Sequence, residues 1–148
     1  MPAVLVVANQ TITNDDLLAA LTTRAAEDQC TFTLLVPATA AADITMSMLS
    51  AAVNIPTARG SAVDEYELAR QRLSSGLQIF RKHGIHVDGE VGDADPMTAI
   101  REVMADRRFD EVIVSTLPST VSRWLRQDLP HKIERKYHLP VKVVTAAS

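Results

Sequence analysis

The stretch Phe109 to Val144, FDEVIVSTLPSTVSRWLRQDLPHKIERKYHLPVKVV, decides the fold. Glu111-Val112-Ile113-Val114 is apolar and β-branched, as a strand buried on both faces should be. A loop from Ser115 to Val121 follows, carrying Pro118, and a short helix around Trp124. Asp128 lies two residues before Pro130, an N-cap residue followed by a proline that the first helical turn tolerates. The helix Leu129 to Tyr137 sets Leu129, Ile133 and Tyr137 on one face. Pro140 restarts the chain in extended form, and Val141 to Val144 is a second strand. Strand, loop, helix, strand is the signature of a parallel sheet. Ligands of such sheets bind at the carboxyl ends of the strands, here the loop after Val114.

Working outward, the rest of the chain repeats this alternation. Ala3 to Ala8 is a continuous apolar run, a central parallel strand, with Asn9-Gln10-Thr11 as its exit. Asn14 caps a helix with Asp15 and Asp16 in its first turn, and Leu17, Leu18, Leu21 and Ala25 are its buried face. Thr31 to Val36 is the second strand. Residues 37–60 hold a short helical pattern at 42–53, broken by Asn54, Pro56 and Gly60. Ser61 caps a long helix with apolar positions Tyr66, Ala69, Leu73, Leu77 and Phe80, and Gly84 stops it. Ile85 to Val91 alternates as an outer strand. Asp95 and Pro96 open a helix with the core stripe Met97, Ile100, Val103 and Met104. The expectation is an α/β chain: one doubly wound, Rossmann-like domain with a five-stranded parallel sheet flanked by helices.

Composition sets the function classes. At 148 residues the chain makes one domain, able to bury about 70% of its unfolded surface. Its 4% aromatic content offers no stacking platform, which argues against nucleic acid. No apolar run approaches the ~18 residues of a membrane span, and no basic-then-apolar leader precedes the first strand, so the expected address is cytoplasmic. The lone Cys30 excludes an internal disulfide and reads as an inert buried thiol. The net charge of −3 conceals an asymmetry. From Arg107 onward eight Lys and Arg face four carboxylates, leaving +4 there and −7 on the remainder. Solvated helix faces explain such a split without any partner.

Three pieces, in order, resemble the universal stress protein family, along nearly the whole chain except residues 37–60. Ala8-Asn9-Gln10-Thr11 falls on the family's V-D-G-S, and Gly92 to Ile100 resembles its G-D-P-A-x-A-I. Ser122 to Arg135, followed by Leu139-Pro140-Val141, resembles its S-R-L-L-L-G-S-V-A-E-K-V-L-R and C-P-V. The resemblance implies a small cytoplasmic stress-response protein, often a homodimer, here through Val141 to Val144. Many members bind ATP through G-x2-G-x9-G-(S/T) after the fourth strand. The candidate nucleotide contacts it implies here are Asn9, Val36, Ser115, Thr116, Pro118, Arg123, Gln127 and Asp128.

That pattern is altered. The two leading glycines fall on Ser115 and Pro118, the closing pair on Gln127-Asp128 with a spacer one residue shorter, and the strand-one aspartate on Asn9. Glycines let backbone N–H groups approach a triphosphate, and Pro118 removes one N–H. Asp128 sets a fixed charge at a helix start that would hold phosphate; like charges ~4 Å apart repel by roughly 4 kcal/mol at a surface-like dielectric. The expectation is therefore a regulatory or interaction domain, not an enzyme, with impaired ATP binding and no cofactor or metal. The alternative is a nucleotide-binding switch that takes ATP or another adenine ligand through altered contacts. Ser122, Asp128 and His131 have the residue types of a hydrolytic triad, but caps and turns account for them. His83 and His86 lack further metal ligands, Asp93 and Asp95 read as turn and cap, and Trp124 reads as a cover over the sheet end.

Overall fold

A computed structural model describes residues 2–38, 62–117 and 123–146. The elements run β1 (Ala3–Val7), α1 (Asp15–Glu27), β2 (Thr31–Pro37), α2 (Ala62–Lys82), β3 (Val87–Gly92), α3 (Pro96–Asp106), β4 (Glu111–Thr116), α4 (Arg123–Arg126), α5 (Leu129–Tyr137) and β5 (Val141–Thr145). The helical pattern at 42–53 and the cap at Ser61 lie outside the described residues.

All five strands are parallel, in the order β3-β2-β1-β4-β5. Val6 is the pivot of the register, opposite Leu34 on β2 and Ile113 on β4. Successive residues of β1 point to opposite faces and divide the core in two. Val4, Val6 and Ala8 join Leu17, Leu21 and Phe80 beneath α1 and α2. Leu5 and Val7 join Ile100, Val103, Trp124 and Ile133 beneath α3, α4 and α5. Both faces of the strand are thus buried, which is why its sequence is apolar throughout.

The helix ends follow from local chemistry. Asn14 accepts from the amide of Asp16 at 2.8 Å, and Asp95 accepts from the amide of Thr98 at 3.0 Å. Gly84, at φ 79°, ends α2; its amide donates to Arg81 O and that of Ile85 to Phe80 O, both at 3.0 Å. This left-handed cap takes the chain out of the helix at a position where a Cβ would be strained. It also draws Ile85 into the turn, so β3 begins at Val87 rather than Ile85.

Two packing expectations need correction. Tyr66 is 45% exposed, not part of the α2 core stripe. The 21 residues of α2 span about 31 Å, whereas the seven of β2 span about 23 Å. The first turns of the helix therefore overhang the carboxyl edge of the sheet. Ser115 and Thr116 belong to β4 rather than to the loop, because Thr116 pairs with Thr145 and its carbonyl accepts from Ala146 at 2.8 Å.

Candidate functional site

The chain winds outward from β1 through β2 to β3, then crosses back to place β4 beside β1. The topological switch lies between β1 and β4, and in an open parallel sheet the ligand crevice lies beyond the carboxyl ends there. In this protein the residues at those ends are polar yet buried: Asn9, Thr11, Ser115 and Thr116 are each exposed by 3% or less. A buried polar group left unbonded costs about 1–3 kcal/mol, so their partners define the site.

The partners come from within the chain. Asn9 Nδ2 donates to the carbonyl of Pro37, the last residue of β2, at 2.7 Å. Its Oδ1 accepts from a terminal guanidinium nitrogen of Arg72 on α2. Thr11 and Ser115 share a hydroxyl hydrogen bond of 2.7 Å that joins the β1 exit to the end of β4. The amide of Asn9 thus bridges β2 and α2, and the hydroxyl pair bridges β1 and β4.

Arg72 is the functional candidate that sequence patterning does not single out. It is partly buried, and burial lowers its pKa from the ordinary arginine value. Its placement depends on Gly76, one turn further along α2. A Cβ at Gly76 would lie 2.3 Å from Ile12 Cγ2, so only glycine lets the β1–α1 connection pack this close to the helix. The signal was there in principle: a glycine inside a helix with an arginine one turn before it, at the margin of the apolar stripe.

The residues expected at the site are dispersed. Asn9, Ser115 and Thr116 lie together at the β1/β4 edge. Val36 is fully buried within β2 and packs into the α2 side of the core. Pro118 lies outside the described residues, as does the side chain of Arg123, whose backbone begins α4. Gln127 is exposed in the turn between α4 and α5.

Asp128 occupies the N-cap position of α5 but does not cap it. Its backbone is left-handed, at φ 60° and ψ 39°, and its side chain bonds no helical amide. Pro130 at the second helical position has no N–H to offer, and the carboxylate instead meets His131 Nδ1 at 2.7 Å. The carboxylate is therefore hydrogen-bonded at the surface rather than held over the helix start. Of the hydrolytic constellation, Asp128 and His131 are in contact, and Ser122 lies outside the described residues. His83 bonds Ile79 O through Nδ1, and Trp124 is buried against the sheet, as a cover should be.

At the opposite end of the sheet a cavity of about 420 Å³ opens beside Phe32, Arg81, Asp88 and Arg107. Its charged groups are already engaged. Arg81 donates to Val87 O at 3.0 and 3.2 Å, and Arg107 pairs with Asp88 at 3.4 Å. Cys30 is buried, and burial raises its thiol pKa. No described helix is long and apolar enough to cross a membrane.

No family model and no curated protein matches this sequence. Solved structures do. A universal stress protein from Archaeoglobus fulgidus superposes with a TM-score of 0.62 at 12% identity, covering 97% of this chain and 93% of its own. A universal stress protein solved in complex with cAMP gives a TM-score of 0.59 at 14% identity, covering 99% of this chain and 98% of its own. End-to-end superposition on both, with a five-stranded parallel sheet in doubly wound order, shows that this chain has the fold of the universal stress proteins.

Proposed function

We propose that this protein is a cytoplasmic regulatory or interaction domain of the universal stress protein type, serving a stress response, that does not take Mg-ATP in the manner of that family. The observation that carries the reading is the commitment of Asn9. Its amide is spent on Pro37 O and Arg72, at the place where an incoming nucleotide would need a contact. Ser115 is tied to Thr11 in the same way, so a ligand must break internal bonds to enter. Each such exchange is nearly neutral at best, because protein bonds are traded for ligand bonds. The altered loop then has little left with which to grip a triphosphate.

A second reading, a switch that accepts an adenine ligand through altered contacts, is favoured by one fact. The neighbour at 14% identity was solved with cAMP, a nucleotide that carries a single phosphate and needs no triphosphate loop. Calorimetric titration separates the two. The first reading expects Mg-ATP to bind no better than the high micromolar range. Micromolar or tighter Mg-ATP binding would refute it, and tight binding of cAMP alone would favour the second. Asp128→Ser should change Mg-ATP affinity by less than about threefold, since the half-exposed carboxylate turns to His131 instead of facing the helical amides.

A further inference from the structure

We propose that Arg72 makes the carboxyl end of β1 a receptor for a small oxyanion, taken without a metal ion. The inference rests on the reading that Mg-ATP is not the ligand of this crevice, and names the ligand class that is. Among the described residues no carboxylate forms an ion pair with Arg72, and its one hydrogen bond there goes to the neutral amide of Asn9. Elsewhere the chain pairs a partly buried arginine with a carboxylate: Arg24, on α1, meets Glu111 at 2.8 Å. A guanidinium drawn from water without a counter-charge is unfavourable, and a desolvated cation beside a ligand-binding edge is where an anion gains most.

The group is also held in place. Asn9 is fixed by Pro37 O at 2.7 Å and presents its oxygen to the guanidinium. The close approach at Gly76 fixes the helix one turn away. A guanidinium has five N–H donors in a rigid fork, of which this contact uses one, leaving an edge suited to two oxygens of a phosphate or carboxylate. Asn9, just beyond β1, is a neutral amide whose oxygen already accepts from Arg72, so no negative charge there draws a divalent cation, and the arginine repels one.

The test is thermal unfolding of the full chain in phosphate, acetate or chloride at matched ionic strength, with EDTA and no magnesium. The expected result is a melting temperature that rises and saturates with phosphate relative to chloride. A rise with acetate as well would identify carboxylates as equal ligands. Arg72→Met should lower the apparent phosphate affinity at least tenfold. Arg72→Lys, which keeps the charge but loses the fork, should retain part of it, and stands in if the methionine variant does not fold. Equal melting in all three salts, or a saturating phosphate response kept in Arg72→Met or undiminished in Arg72→Lys, would overturn the inference. In a parallel melt with magnesium and without EDTA, a stronger response to Mg-ATP than to phosphate would instead overturn the reading on which it rests.

Discussion

Gly76→Ala sets helix propensity against packing, and the structure decides the winner. In an exposed helix interior, glycine to alanine gains about 0.8–1.0 kcal/mol. Here the new methyl would fall 2.3 Å from Ile12 Cγ2 and 3.1 Å from Leu34 Cδ2, both atoms of buried side chains. Overpacking of this kind costs about 1–3 kcal/mol, so the net effect should be a loss of about 1 kcal/mol. The melting temperature should fall by roughly 2–4 °C. Ile12→Ala removes the opposing Cγ2, and in that background Gly76→Ala should stabilise by up to about 1 kcal/mol. The sign inverts, and the coupling between the two sites is about 2 kcal/mol. Urea unfolding followed by the fluorescence of Trp124, the single and buried tryptophan, measures all four proteins, with the slope m unchanged throughout. Equal effects of Gly76→Ala in both backgrounds, or stabilisation of the otherwise native chain, would show that the helix does not press on the β1 exit as described.

Val6→Asp should abolish folding, because Val6 is fully buried at the centre of the sheet and burying an unpaired carboxyl there, with the loss of the valine packing, costs on the order of the ~5–15 kcal/mol a domain has to lose. Recovery of soluble, cooperatively melting protein would contradict the strand order. The exposed edge of β5 motivates a homodimer paired through Val141 to Val144, with Val143 38% exposed. The amide of Ala146 donates inward to Thr116 O, so by alternation that of Val143 faces outward. Val143→Pro should accordingly shift sedimentation from dimer to monomer without unfolding the chain, and a wild-type monomer at tens of micromolar would dispose of the dimer.

What the sequence discloses is what its neighbours along the chain decide. The strands announce themselves because a strand buried on both faces must be apolar at every position, as Val4 to Val7 and Val112 to Val114 are. Asn14 and Asp95 are legible because a cap bonds amides two or three residues away. Asp128 misleads for the same reason. The residue type and spacing suit a cap, but the left-handed backbone and the missing N–H of Pro130 turn the carboxylate to His131. Tyr66 misleads because periodicity marks a helical face without saying how far the sheet beneath it extends. For Arg72 the local pattern offers at most a helical glycine one turn on; its partner Asn9, 63 residues away, is beyond what local pattern can show.

The position of β1 between β2 and β4 has a consequence for how the protein is made. Its second neighbour, β4, begins more than a hundred residues later in the chain. At ~5–20 residues per second of synthesis, Val4 to Val7 wait on the order of ten seconds with one flank unpaired. During that interval a nascent chain already able to zip β1, β2 and β3 offers a hydrophobic strand edge to any other chain. The sheet stays open at its own centre until β4 arrives, and ribosome-bound chains ending before β4 are where chaperone demand and misassembly should concentrate.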